Sequence, residues 1–197
     1  MVSEESLPEG ATPLDPDEIE GLIPPQIATR AELNEAEEAN ITHGQLWALT
    51  SLRRREILSD EFVYELHRRM FGDVWSWAGH VRSTNKNIGI DKYEIRVAVR
   101  DLMADARVWV DSGMPLDECA VRLHHRLVFI HPFPNGNGRH ARMLADIFLL
   151  RQGIRPVTWG KHRGSLLHTG ELRAEYISAL RAADRGDIRL LLAFARN

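Results

Sequence analysis

The sequence predicts an all-α domain that carries one small β-hairpin. Apolar residues recur at spacings of three and four over most of the chain, as they do on the buried face of a helix. Capping residues precede several of these stripes, and Gly or Pro follows them. One polar stretch at 81–90, rich in Asn and Gly, breaks the pattern and has the composition of a short hairpin or an ordinary surface loop.

Length and composition favour a single globular domain with an appendage. The 197 residues include 44% hydrophobic and 27% charged side chains, as is typical of soluble proteins. We see no apolar run long enough to span a bilayer and no secretory signal pattern, so a cytoplasmic location is the expectation. The single cysteine, Cys119, excludes an internal disulfide and is predicted to be a buried core residue.

The first 28 residues are predicted to form an acidic, Pro-rich arm. They hold five of the nine prolines, and the first 29 residues hold seven of the 28 acidic side chains and no Lys or Arg. This arm is expected to be extended and to lie over the domain through Ile19, Leu22 and Ile23. The rest of the chain is only mildly basic, which suits a phosphate-bearing ligand but is too weak to argue for nucleic-acid binding.

Residues 29–197 are predicted to form one helical domain, with a core at 60–155 and C-terminal helices at 165–197. A helix is expected at 30–49, and another from Ser59, as N-cap, to Met70. Two more are expected at 170–183 and 188–194. The core-facing stripes are Leu33, Ala36, Asn40, Leu46 and Trp47; Phe62, Leu66 and Met70; Ile95, Val99, Leu102, Met103, Ala106 and Val110; Leu116, Ala120, Leu123, Leu127 and Ile130; and Ala141, Leu144, Ala145, Phe148 and Leu149.

The segment HPFPNGNGRHAR, residues 131–142, joins two of these helices. Its glycines lie where the second helix begins, and backbone N–H groups at a helix start bind anions well. Arg139 and Arg142, three residues apart, add two guanidinium groups on one side of that helix. The segment therefore predicts a polyphosphate site, although each residue alone has an ordinary structural explanation.

The chemistry expected at this site is nucleotide-dependent transfer. His131 is the one suitably placed side chain with an ordinary pKa near neutrality, so it is the candidate general base. Phe133 is expected to plug into the core and fix the shape of the loop. A dinucleotide fold is excluded because a helix, not a strand, precedes the glycines. A zinc site among His124, His125, His131 and His140 is disfavoured, because there is no HExxH helix or cysteine pair.

The same twelve residues resemble the signature of the Fic family: His, any residue, Phe, any residue, Asp/Glu/Asn, Gly, Asn, Gly, Arg, two of any residue, Arg. The resemblance implies a Fic-type helical bundle with a hairpin flap. It also implies transfer of AMP from ATP, with Mg²⁺, to a Ser, Thr or Tyr hydroxyl of a target protein. The residues that it assigns to the nucleotide are Asn135, Gly136, Asn137, Gly138, Arg139 and Arg142. Asn135 would also be the Mg²⁺ ligand, at a position where many active members have an acid.

The resemblance places the flap at 81–90, where Fic proteins hold the target segment as an added strand. The positions expected to contact the target are Ser83, Thr84, Asn85, Lys86, Asn87 and Ile88. A target protein and ATP are the expected partners, with no membrane or direct nucleic-acid contact. Self-modification and homo-oligomerisation stay open.

Many Fic proteins are silenced by a glutamate in a helix that reads Ser/Thr, three of any residue, Glu, Gly/Asn. The nearest segment here is NEAEEAN, in which Glu38 would be the inhibitory acid and would pair with Arg142. The alternative is that Glu38 is one of several solvated acids on this helix.

The C-terminal segment GELRAEYISALRAADRGD and the core motif together resemble the subgroup called mobile mystery protein B, whose members are associated with mobile genetic elements. Three alternatives to AMP transfer from ATP stay open at this point. The protein could use another nucleotide, transfer a phosphoryl group, or act as a non-catalytic module that binds a nucleotide or a phosphorylated partner.

Overall fold

The computed structural model describes residues 13–160, 166 and 170–197, and this part of the chain is almost entirely helical. Its helices are α1 (Pro16–Ile19), α2 (Arg30–Ser51), α3 (Asp60–Phe71), α4 (Ile95–Asp111), α5 (Leu116–Ile130), α6 (Asn137–Arg151), α7 (Glu171–Asp184) and α8 (Arg189–Arg196). Within these ranges there is no β-strand beyond one isolated bridge, and no helix is long and apolar enough to cross a membrane. The all-α fold class is confirmed.

Side-chain caps fix where the first two long helices begin. Thr29 accepts a hydrogen bond from the Glu32 N–H, and the Glu32 carboxylate accepts one from the Thr29 N–H, which completes a capping box for α2. Ser59 accepts a hydrogen bond from the Phe62 N–H at 3.2 Å and begins α3, as the sequence predicted.

The core forms where α3, α4, α5 and α6 pack together. The predicted stripes of α4, α5 and α6 are buried, apart from half-buried Val110 and Leu116, and Cys119 is buried as expected. In the α2 stripe the prediction was wrong for Leu46, which is 57% exposed, whereas Trp47 is half-buried against the core and Ala48 is fully buried. Gly44 also faces inward, since a Cβ there would lie 2.9 Å from the Arg69 backbone. The inner face of α2 therefore has small residues at Gly44 and Ala48, which let α3 approach closely.

The arm contacts the body differently from the prediction. Ile19 and Ile23 are 52% and 49% exposed, whereas Leu22 is half-buried and forms an antiparallel bridge with Trp75. The Ile23 N–H donates to the Val74 carbonyl at 2.9 Å. Residues 1–12 of the predicted arm, and residues 161–165 and 167–169 of the C-terminal region, lie outside the described part of the chain.

The flap at 81–90 has bends instead of paired strands. The buried guanidinium of Arg82 donates to the carbonyl oxygens of Thr84 and Ile90, and these contacts close the segment without a strand ladder. Exposure alternates from Ser83 to Ile90, so successive side chains point to opposite sides, as in an extended backbone. In place of the expected hairpin, the segment is thus a loop that the Arg82 side chain closes.

His140 makes the stability of this core depend on pH. It is completely buried in α6, its Nε2–H donates to the Val63 carbonyl at 2.9 Å, and burial lowers its pKa from the ordinary 6.5 to about 3. Below pH 6.5 the unfolded chain binds a proton at this residue and the folded chain does not. The free energy of unfolding should therefore fall, through His140 alone, by about 1.4 kcal/mol per pH unit between 6.5 and 3.

Urea unfolding of His140→Gln at pH 7, 6 and 5 checks this. The variant should lose that part of the pH dependence, whereas His43→Gln, which removes an exposed histidine, should keep the wild-type slope. Equal slopes in His140→Gln and the wild type would contradict the assignment.

Candidate active site

The candidate base, His131, lies directly after the last residue of α5. It caps this helix in the left-handed region, with φ 55° and ψ 60°, and its residue is 6% exposed. Its Nδ1 lies 3.3 Å from the Val128 carbonyl oxygen, so Nδ1–H donates and the lone pair is on Nε2. Burial lowers the pKa of His131 to about 4, with smaller contributions from Arg82 and Lys86, so the imidazole is neutral at pH 7.

The loop after His131 is closed by one side chain. Asn137 Oδ1 accepts from the Phe133 N–H at 3.0 Å, and Asn137 Nδ2 donates to the Phe133 carbonyl at 2.8 Å. Phe133 is fully buried and stacks on His67 at a centroid distance of 3.7 Å. The Asn137 side chain is therefore committed to the shape of the loop, and only its backbone can face a ligand.

Sequence analysis missed His67, which supports the loop from α3. Its Nδ1 accepts from the Gly79 N–H at 3.0 Å, so its Nε2–H donates to the Asn135 carbonyl at 3.0 Å. Burial holds the pKa of His67 well below its ordinary range, and the ring is neutral. A histidine on the same helical face as Val63 and Met70 was the available signal.

The N-terminus of α6 has the geometry of an anion site. Its N-cap, Gly136, has φ 79°, and a Cβ there would lie 2.7 Å from the Phe71 ring, so this position requires glycine. The first N–H groups of a helix have no acceptor within the helix. A Cβ at Gly138 would have Arg142 Nη1, at 3.6 Å, as its nearest neighbour, so a ligand can approach the backbone here.

The two motif arginines have different partners. Arg142 lies over the Tyr176 ring and donates to its hydroxyl at 3.4 Å. Arg139 lies over the Phe71 ring and donates to Glu37 Oε2 at 2.6 Å. The start of α6, six residues after His131, therefore carries the permanent positive charge of two guanidinium groups.

The acid that meets a motif arginine is Glu37, not Glu38. Glu38 is exposed on α2, whereas the Glu37 side chain is 7% exposed and also accepts from Trp75 Nε1 at 2.7 Å. The predicted pair of Glu38 with Arg142 is therefore wrong in both partners. Glu37 falls on the inner face of α2 because it lies four residues after Leu33 and three before Asn40.

The site residues do not form a cation site of their own. Asn135 Oδ1 accepts from the Gly136 N–H at 2.6 Å, and an amide adds no negative charge. Across the described ranges, no three His, Cys, Asp or Glu residues come together in a way that could hold a metal ion. The four histidines disfavoured as a zinc site each make a hydrogen bond elsewhere: His124 with Tyr176, His125 with Asp184, His131 with Val128 and His140 with Val63.

The flap lies directly against His131. The Arg82 side chain, which sequence analysis also missed, donates through Nε to the His131 carbonyl at 2.7 Å, and its backbone N–H donates to the Pro132 carbonyl. A Cβ at Gly89 would lie 2.6 Å from His131 Cβ. Of the predicted target positions, Ser83, Asn85 and Asn87 are exposed and Thr84, Lys86 and Ile88 are partly covered.

Known sequences are similar to this chain over the residues that form the site. A family model described as Fic/DOC family matches residues 57–149. The chain is 35% identical to protein adenylyltransferase fic-1 of Caenorhabditis briggsae over 147 residues, which are 72% of this chain and 27% of that protein. It is 31% identical to protein adenylyltransferase Fic of Nematostella vectensis over 153 residues, 74% of this chain and 33% of that protein. The chain thus spans a third or less of these relatives.

Solved structures show the same fold. Fic-1 from Caenorhabditis elegans superposes with a TM-score of 0.60 and 27% identity, over 90% of this chain and 51% of that one. BepC from Bartonella tribocorum, solved with bound AMPPNP, superposes with a TM-score of 0.67 over 92% of this chain and 97% of that one. BepC is only 16% identical and supports the fold alone. The flap at 81–90 and the whole motif at 131–142 both lie within residues 57–149, and this part of the chain is therefore a domain of the Fic/DOC family.

Proposed function

We propose that this protein transfers AMP from ATP to a Ser, Thr or Tyr hydroxyl of a target protein. The observation that carries the proposal is a neutral imidazole, His131, held at the end of α5 beside the arginine-rich start of α6. The adenylyltransferase names of the relatives support the choice of reaction.

His131 would act as the general base of this transfer. Its Nε2 lone pair takes the proton of the target hydroxyl, and the hydroxyl oxygen attacks the α-phosphorus of ATP. The bond from that phosphorus to the oxygen bridging the α- and β-phosphates breaks, and pyrophosphate leaves. Because the Val128 carbonyl holds the Nδ1 proton, the ring presents the nitrogen that can accept one.

The start of α6 would hold the phosphates. The backbone around Gly136, Asn137 and Gly138 supplies N–H groups, and Arg139 and Arg142 stabilise the charge that develops on the leaving group. Mg²⁺ would enter with the nucleotide, bound by its phosphates, with Asn135 as the one side chain of the loop that could add an oxygen. The phosphates would bind most of the ion because the amide at position 135, unlike a carboxylate, adds no negative charge.

The flap would hold the target. Residues 83–88 alternate in exposure between Arg82 and Gly89, which both lie against His131, and this suits pairing with a target segment added as a strand. The further proposal of membership in the mobile mystery protein B subgroup rests on the C-terminal segment at 170–187 together with the core motif at 131–142.

A labelling experiment tests the transfer and its base. Incubation with ATP labelled on the α-phosphate should add one AMP per acceptor site, and His131→Ala should slow this by about 10²- to 10⁴-fold while nucleotide still binds. The measurement is intact mass and retained label on protein, with ATP labelled on the γ-phosphate run in parallel. Retention of the γ-label would instead indicate phosphoryl transfer, and binding without label in any variant would indicate a non-catalytic module.

The pH dependence of kcat/KM gives a second test. Activity is lost as pH falls through the pKa of the base in the free enzyme, and burial sets that pKa to about 4 for His131. We expect activity to persist well below pH 6.5, over the range in which circular dichroism shows the protein folded. An acid limb centred at 6.5 or above would contradict a buried neutral base.

We also propose that Glu37 restrains the enzyme. Its carboxylate is nearly buried and lies 2.6 Å from Arg139 Nη1, so it competes with phosphate for this guanidinium and repels anions from the start of α6. Trp75 Nε1 holds the second carboxylate oxygen and keeps the acid in place.

Replacing this acid should raise activity. Glu37→Gln keeps the size of the side chain but removes its charge, and we expect AMP transfer to rise by about tenfold or more, as loss of a charged hydrogen bond allows. The neighbouring Glu38→Gln is the matched control and should leave the rate unchanged, because Glu38 is exposed. A rise in AMP transfer in Glu38→Gln alone would instead identify Glu38 as the inhibitory acid.

A further inference from the structure

Lys86, in the middle of the flap, has a charged side chain that is almost completely covered. This side chain is 3% exposed, and its Nζ lies 2.8 Å from Asp15 Oδ2 and 2.5 Å from Glu18 Oε2. The hydroxyl of Thr84 donates to the same Asp15 oxygen at 2.7 Å. Both carboxylates come from the acidic arm, about 70 positions earlier in the chain.

These contacts do not hold the flap together. The flap is closed by Arg82, by the Asn85 amide on Asp91 at 3.0 Å, and by Lys92 on the Ser83 carbonyl at 2.6 Å. Among the described residues, the side-chain hydrogen bonds of Thr84 and Lys86 go to Asp15 and Glu18 of the arm.

The arm, in turn, is anchored elsewhere. Leu22 bridges to Trp75, the Gly21 carbonyl accepts from the Ser76 N–H at 2.9 Å, and Trp77 Nε1 donates to the Glu18 carbonyl. Apart from the Glu18 carbonyl, these anchors do not involve Asp15 or Glu18, so the two side-chain carboxylates can leave Lys86 while Leu22 stays in place.

Charge makes this contact selective. An ammonium group that is taken out of water needs an opposite charge, and a neutral segment over the flap would leave Lys86 buried and unpaired. The surface formed by Thr84 and Lys86 therefore discriminates in favour of carboxylates. The arm fills it incompletely, because Glu18 Oε1 is buried without a hydrogen-bond partner in the described structure.

We propose that the Thr84–Lys86 surface recognises an acidic segment with two carboxylates three residues apart, and that the arm occupies it in cis until such a segment of the target protein replaces it. The acid-binding surface stands on the contacts above. Its assignment to the target rests on the proposed function of the flap.

Protection of Lys86 against an amine-reactive acetylating reagent tests the surface in the full chain, without nucleotide. Site-resolved mass spectrometry gives the rate at Lys86 relative to Lys92, which lies two residues after the flap and serves as an internal reference. Asp15→Asn/Glu18→Gln should raise the relative rate at Lys86 by about tenfold or more, as loss of two charged partners predicts. The matched control Asp17→Asn/Glu20→Gln changes two exposed acids of the same arm and should leave Lys86 protected.

Recognition in trans is tested with a peptide of residues 13–27. Added to the Asp15→Asn/Glu18→Gln protein, it should restore protection of Lys86, and the same peptide with both amide substitutions should not. Equal protection by the two peptides, or a Lys86 that stays protected in the double variant, would overturn the proposal. Because the assay needs no AMP transfer, failure of the acidic surface and failure of the proposed reaction are seen separately.

Discussion

Two hydrogen bonds between Asn137 and the Phe133 backbone hold together the part of the molecule on which the site depends. They close the turn between α5 and α6, so that the end of one helix and the start of the next lie side by side. A helix end is a natural place for His131, and a helix start is a natural place for an anion. The loop joins these two chemistries within twelve residues, and Phe133 anchors it in the core.

The layer beneath the loop is buried and neutral, and this shapes the site above it. His67, His140 and Phe133 pack ring against ring, and both histidines use backbone carbonyls as acceptors for their Nε2 protons. Burial keeps these rings uncharged, so the positive charge near the loop comes from arginines at its rim. His131 shares the same low-dielectric surroundings and stays neutral for the same reason.

The basic groups around the site are met by acids of the same chain. Glu37 pairs with Arg139 from α2, and Asp15 and Glu18 pair with Lys86 from the arm. These pairs are largely buried, and such pairs contribute more to specificity than to net stability. The two contacts lie on the two sides of the proposed reaction, one at the phosphates and one at the target segment. In both proposals an acid of this chain occupies the place of a ligand: Glu37 that of a phosphate, and the arm that of an acidic target segment.

The sequence by itself determined the long helices α2 to α7, the Ser59 cap, the buried stripes of α4 to α6 and the motif at 131–142, because these depend on residues three or four positions apart, whereas it predicted an extended arm where the short helix α1 lies. It could not choose between Glu37 and Glu38. Adjacent residues of a helix are rotated by about 100°, so these two acids lie on different faces of α2. It placed His67 on the buried face of α3 without showing that His67 supports the loop, and it gave no sign that Arg82 supports the flap. Only the tertiary structure decided these, together with the contact of Lys86 with Asp15, because such partners are far apart in sequence and are selected by packing rather than by local pattern.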